Sequence, residues 1–149
     1  MNVIVIGAGI FGIAAALELR RRNHVVTLVE QGKIPNPLAS STDVSKVIRR
    51  TMYPNETHIE LVTRAAEQWQ KWHDQISQSI YFQTGKLIVV RDLDSNHEAL
   101  AGWETLNRLN KGVTELTTKE TRKKFPQFEV SDKDHLFYDP WAGYLRSGQ

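Results

Sequence analysis

The sequence predicts an α/β fold that opens with a parallel βαβ unit, and three observations carry that prediction. Residues 3–6, Val-Ile-Val-Ile, form a short β-branched run of the kind that builds a buried parallel strand. They lead directly into Gly7-Ala8-Gly9-Ile10-Phe11-Gly12, a G-x-G-x-x-G turn. A helical stretch with apolar Ile13, Ala16, Leu17 and Leu19 then separates this strand from a second one, Val25-Val26-Thr27-Leu28-Val29, which runs into Glu30.

Strand, glycine turn, helix, strand and acid, in that order, make a dinucleotide-binding unit, and each residue type has a task in it. Gly7 permits the tight turn out of the strand. Gly9, lacking a side chain, lets a pyrophosphate approach the backbone. Gly12 allows close packing of helix on strand. The amides of Ile10 and Phe11 and the positive end of the helix dipole face the phosphates. Glu30 lies 18 residues after Gly12, near the spacing of about 20 expected for the acid that holds a ribose 2′-hydroxyl. Gln31 follows it in the same turn. A carboxylate there disfavours a 2′-phosphate, so NADP fits worst. An ordinary glycine turn in an α/β core is the plain alternative.

Bulk properties narrow the class. A chain of 149 residues can bury a core, and a formal net charge of +2 is too small to argue for a nucleic-acid partner. The clusters Arg20-Arg21-Arg22 and Arg122-Lys123-Lys124 sit at predicted helix ends, where cations suit the negative dipole end. The absence of cysteine excludes a disulfide framework, a thiolate metal site and a cysteine nucleophile within this sequence. His24, His58, His73, His97 and His135 show no metal-ligand spacing, and no G-x-S-x-G elbow is present. Residues 3–17 are apolar but follow only Met1-Asn2, without the basic region of a signal peptide. The expectation is a soluble, cytoplasmic protein with no membrane partner and no metal.

Beyond Glu30, residues 31–42 read as a loop broken by Gly32, Pro35, Asn36 and Pro37, and residues 43–50 as a short helical or irregular segment. Ser40, Ser41, Thr42 and Lys46 carry the right groups to touch phosphate oxygens, against a plain helix cap at Thr42 or Asp43. Residues 56–76 form an amphipathic helix with Trp69 and Trp72 as core anchors, and no role is assigned to His73. Residues 81–83 and 86–90 read as strands joined through Thr84-Gly85. Residues 95–109 form a helix with Leu100, Trp103, Leu106 and Leu109 on one face. A strand at 113–116 precedes Thr117-Thr118-Lys119-Glu120, a capping box opening a helix that stops before Pro126. Residues 135–138 are a strand, and Asp139-Pro140-Trp141-Ala142-Gly143-Tyr144-Leu145 turns into another.

Taken together, VIVIGAGIFG, the acid of LVEQG, ASSTDVSKVIR, YFQTGKLIVV and DPWAGYLRSG resemble the N-terminal part of the FAD-dependent amine oxidases related to sarcosine oxidase, N-methyltryptophan oxidase and the fructosyl-amino-acid oxidases. The likeness runs over essentially the whole sequence, and ASSTDVSKVIR is its most specific part. It implies a Rossmann-like FAD-binding domain of the glutathione-reductase type, followed by the beginning of an α+β substrate domain. The implied division is residues 1–79 and 80–149. The implied reaction oxidises the C–N bond of a secondary amine or amino acid derivative by hydride transfer to flavin, with dioxygen as acceptor. Gly7, Gly9, Gly12 and Glu30 would hold the ADP half. Ser40, Ser41, Thr42 and Lys46 fall where the family approaches pyrophosphate and flavin. Lys46 would polarise the flavin or help activate oxygen, and Arg49 would take a substrate carboxylate. Family members are well over twice this length, so the expectation is an N-terminal fragment, inactive alone, whose C-terminal half completes the flavin pocket. The glycine unit itself leaves open an NAD-binding dehydrogenase domain, and exposed apolar surface leaves open a non-catalytic interaction module.

Overall fold

The computed structural model describes residues 1–51, 53–91 and 97–147. In chain order the elements are β1 (Asn2–Ile6), α1 (Ile10–Arg21), β2 (Val25–Val29), β3 (Ser45–Ile48), α2 (Glu56–Gln75) and β4 (Tyr81–Phe82). They continue with β5 (Lys86–Val90), α3 (His97–Arg108), β6 (Thr114–Leu116), α4 (Thr118–Lys124), β7 (His135–Asp139) and β8 (Gly143–Arg146). The chain divides into two compact units, one of residues 1–45 and 147–149, the other of residues 46–146. The division expected at 79/80 falls within the second unit.

In the first unit β1 and β2 pair in parallel, from Asn2 opposite Val25 to Ile6 opposite Val29. α1 is the crossover between them, and Arg20 and Arg21 occupy its last turn. Asn23, just past the helix, takes the left-handed backbone at φ 62°, which asparagine tolerates better than most residues. Ser147 closes the unit by donating its N–H to the Val44 carbonyl and its hydroxyl to the Asp43 carbonyl. The expectation that β1 is buried does not hold, because Ile4 is 69% and Ile6 86% exposed. Among the described residues the sheet has two strands, so one face of β1 has nothing packed over it.

The second unit holds two three-stranded sheets. One is ordered β3-β8-β4 and the other β5-β7-β6. Ile48, Tyr81 and Leu145 of the first sheet pack with Ala66 of α2, flanked by Val62, Trp69 and Trp141. Asn55 caps α2 by accepting the His58 amide, and Trp72 meets Trp69 edge-on with centroids 4.9 Å apart. Both tryptophans therefore serve the core side of α2, as their spacing predicts. The second sheet presents Ile88, Val90 and Phe137 to Ala99, Leu100 and Trp103 of α3. The capping box at Thr117 and Glu120 is present in full.

Two local expectations are corrected. Residues 45–48 are strand β3, neither helical nor irregular, and neither Thr42 nor Asp43 caps a helix. β8, a hundred residues away, supplies the ladder, and buried Ile48 secures it to the core; no local signal announces such a partner. The segments either side of Thr84-Gly85 are both strands, as expected, β4 pairing with β8 and β5 with β7. Gly85 makes the switch of sheets at φ 75°, where a Cβ would run into the Tyr138 ring. The expected start of α3 at Ser95 lies outside the described residues.

His73 has a structural task after all. Its Nδ1 accepts the amides of Ile80 and Tyr81, at 3.2 and 3.1 Å, and ties the end of α2 to the start of β4. The dominant polar contact of the unit is a fully buried ion pair. Arg50 donates to Asp139 Oδ1 at 2.7 Å, with the two side chains 3% and 0% exposed. The same guanidinium donates to the Lys111 carbonyl at 3.0 Å and lies over the Trp141 ring at 4.6 Å. The Trp141 amide also donates to Asp139 Oδ1.

Breaking one side of such a pair strands a buried charge. Asp139→Asn should therefore lower unfolding stability by about 3–5 kcal/mol, whereas the double change Arg50→Met with Asp139→Leu should recover most of it. Urea unfolding of both variants checks this; equal losses in the two would show that packing around the site, and not charge, sets the cost.

Candidate functional site

The first unit builds its site from the glycine turn. Gly7 leaves β1 at φ 96° and donates its amide to the Val29 carbonyl at 2.7 Å, which docks the turn onto the end of β2. Gly12 is demanded by the fold, since a Cβ there would collide with the Gly7 carbonyl. Gly9 is not, since a Cβ there would meet no atom within 4 Å. The space in front of Gly9 is thus left for something other than protein.

α1 begins at this point with Gly9 as its cap, no side-chain capping bond and no acid in its first turn. Its leading amides and dipole are therefore available to an anion. Ile10 and Phe11 occupy that turn, and Phe11 is 89% exposed. Glu30 reaches back to the same turn. Its carboxylate accepts the Ala8 amide at 2.8 Å and the Gly32 amide at 3.1 Å. These two bonds, Ala8 first, together with the Gln31 amide, hold its carboxyl below the usual carboxylate range. Gly7, Gly9, Ile10, Phe11, Gly12, Glu30 and Gln31 are accordingly gathered around one turn.

The loop of residues 31–42 is folded on itself. The Asn36 side chain accepts the Leu38 amide, the Thr42 hydroxyl donates to the Asn36 carbonyl at 2.6 Å, and the Thr42 amide donates to Ala39. Ser40 and Thr42 are exposed and Ser41 half-buried. Lys46 and Arg49 belong to the second unit. Lys46 is half-buried on β3. Arg49 lies just past its end and lines a pocket of about 330 Å³ between β3 and α2. Tyr53, His58, Val62 and Trp69 share that lining, with Tyr53 and His58 edge-to-face at 4.9 Å. A cation beside aromatic and aliphatic walls suits a ligand with one carboxylate and an apolar body.

Sequence reasoning did not single out the residues behind Arg49. Arg50 and Asp139 carry no recognisable spacing, being 89 residues apart. Lys86 opens a predicted strand and carries no assigned role. In the fold it is half-buried and donates to Thr51 Oγ1 at 3.1 Å. Among the described residues no helix is long and apolar enough to cross a membrane, and no group of three or more His, Cys, Asp or Glu could hold a metal.

A glycine turn under an uncapped helix, faced by a strand-end carboxylate, defines a dinucleotide-binding α/β protein. Residues 2–149 match the sequence profile of the DAO family, described as FAD dependent oxidoreductase, and the chain belongs to that family. Among its relatives, L-saccharopine oxidase of Schizosaccharomyces pombe is 24% identical over 137 residues, covering 84% of this chain and 30% of that protein. N-methyl-L-tryptophan oxidase of Yersinia pestis is 24% identical over 146 residues, covering 98% and 39%. Among solved structures, a modified fructosyl peptide oxidase from Aspergillus nidulans superposes with a TM-score of 0.82 at 20% identity, covering 99% of this chain and 36% of that one. L-Proline dehydrogenase from P. horikoshii gives 0.78 at 24%, covering 98% and 38%. The chain thus spans about a third of the length of these relatives, and the fold of its length is theirs.

Two outcomes follow from the turn. Gly12→Val should abolish folding of the first unit. Gly9→Val should leave the circular dichroism unchanged yet weaken ADP binding by roughly a hundredfold, because only the ligand needs that space. Glu30 has a folded pKa below its ordinary value of about 4.3, so its contribution is complete above that value and is lost as pH falls through the lowered one. Melting followed from about pH 6 to about pH 3 should show an acid loss that Glu30→Gln reduces.

Proposed function

We propose that this chain is the N-terminal part of an FAD-dependent oxidase of amino acid derivatives. Its reaction is oxidation of the C–N bond of a secondary amine, of sarcosine-like or fructosyl amino acid type, in the cytoplasm, with dioxygen as acceptor. The observation that carries the reading is the unfilled space at Gly9 in front of the uncapped α1. Residues 1–79 then belong to the FAD-binding domain and residues 80–149 begin the substrate domain, with the flavin pocket completed by a C-terminal half.

Bound FAD supplies the acceptor for the substrate's hydride and passes the electrons to dioxygen. The chain's own residues bind and orient. The α1 amides and Gly9 take the pyrophosphate. Glu30, kept ionised by the Ala8 and Gly32 amides, accepts hydrogen bonds from ribose hydroxyls and repels a 2′-phosphate. Ser40, Ser41 and Thr42 offer hydroxyls to phosphate oxygens. Lys46 is the cation that would serve the flavin, stabilising negative charge during reduction and oxygen activation. Arg49 fixes the substrate by its carboxylate, and the apolar walls of its pocket take the remainder of the amino acid. The names of three relatives, L-saccharopine, N-methyl-L-tryptophan and fructosyl peptide oxidase, favour substrates of this kind.

Calorimetry on the purified chain tests the reading. ADP and FAD should bind with affinities within about tenfold of each other, since the residues present grip the ADP half. No peroxide should be released from N-methyl or fructosyl amino acids by this chain alone, because an open flavin site neither excludes water nor orients a substrate. Failure to bind either nucleotide would overturn the assignment of the glycine turn.

A further inference from the structure

His73 meets two incompatible demands. It stands in the last turn of α2, where unpaired carbonyls and the negative dipole end favour a cation. Its Nδ1, however, accepts the amides of Ile80 and Tyr81 at 3.2 and 3.1 Å. An accepting nitrogen carries no proton, so both bonds require the neutral ring with its hydrogen on Nε2. In the imidazolium, Nδ1 is a donor facing two donors. The side chain is half-buried, so protons from solvent reach it.

Among the described residues no carboxylate pairs with His73. Its neighbours three and four residues away, Trp69, Gln70, Ile76 and Ser77, carry no charge, and Asp74 accepts from Gln70 instead. From β4, Phe82 meets the imidazole edge-on at 6.3 Å, and Tyr81 brings a phenol kept neutral by burial and then by Asp139. From β8, Tyr144 stacks on Phe82 at 4.9 Å, and the Arg146 guanidinium lies over the same ring at 5.1 Å. The charge that β8 brings is thus another cation. β4 itself has two residues, residues 76–79 before it are exposed, and the Ile80 carbonyl accepts the Arg146 amide. The two bonds to Nδ1 therefore fix the connection between α2 and β4.

We propose that His73 is a proton-operated clasp on the β3-β8-β4 sheet. Neutral, it anchors residues 76–80 and the start of β4 to the end of α2. Protonated, it drops both amides and sets a second cation beside the ring that Arg146 already covers. Tyr81 stays anchored in the core with Ile48, Ala66 and Leu145, so the release is local and the unit stays folded. What the two bonds contribute is complete while the ring is neutral and is lost as pH falls through its protonation. β8 lies between β4 and β3, so the loosened edge belongs to the sheet that carries Lys46. No ligand takes part, so the clasp and the oxidase reading stand or fall separately.

The test uses the whole chain, labelled with nitrogen-15, and follows the imidazole nitrogens and amide hydrogen exchange by NMR from about pH 8 to about pH 5. At the upper end His73 should carry its hydrogen on Nε2. As its ring protonates, the protection of the Ile80 and Tyr81 amides, corrected for the intrinsic pH dependence of exchange, should fall by about tenfold or more. Leu136 and Phe137 of β7 should keep theirs. His73→Asn, whose side-chain oxygen accepts without titrating, should stay protected at both ends of the range, and His73→Phe should be open at both. A neutral His73 with its hydrogen on Nδ1 would overturn the clasp. So would Ile80 and Tyr81 protection that ignores protonation of the ring, or the same pH response in His73→Asn. The tautomer and the exchange are read on the unsubstituted chain, so a variant that fails to fold does not decide the matter.

Discussion

The close approach of α1 to the Gly7 carbonyl, possible only because residue 12 has no side chain, governs the geometry of the first unit. It lets the helix start immediately after β1. It therefore puts the first-turn amides, the space at Gly9 and the end of β2 around one turn. Glu30 joins them through the Ala8 amide, so the acid is fixed at that turn by the backbone. The affinity of such a site depends less on the number of contacts than on how little must be ordered at binding. Here the donors, the acceptor and the approach path are set by backbone hydrogen bonds and by one steric necessity.

The second unit is organised around charge. A buried ion pair gains little over apolar packing, because desolvation consumes most of the attraction. What it does provide is direction. Arg50, held by Asp139, the Lys111 carbonyl and the Trp141 ring, fixes the backbone just past β3. Arg49, the next residue back, is left to line the pocket beside α2. Adjacent residues of the same type thus have opposite fates, one sealed into the core and one lining a pocket.

Much of this was legible in the residues. Gly7, Gly12 and Glu30 have tasks that follow from stereochemistry, and the structure gives Gly12 and Gly7 the reasons expected of them. Helical periodicity located α2 and α3, and the Thr117–Glu120 box located α4, because those signals lie within one or two turns. Strand β3 was missed, since its hydrogen bonds come from β8 and its four residues carry no alternation of their own. The Arg50–Asp139 pair and the bond from Lys86 to Thr51 were missed for the same reason: contacts spanning 89 and 35 residues leave no spacing to read. His73 was set aside as a flank residue, and only the arrival of β4 gives its Nδ1 two amides to accept.

The first unit has a thin interior. Among its described residues Ala8 and Ala16 are the buried apolar ones, and neither contributes much area. Its parallel ladder should open by local fluctuation far more often than β7, whose Leu136 and Phe137 lie in the core of the second unit. A nucleotide seated on the glycine turn would bind the closed form alone and hold it closed by mass action. Nucleotide supply and protease resistance of the N-terminal strands would then be one equilibrium.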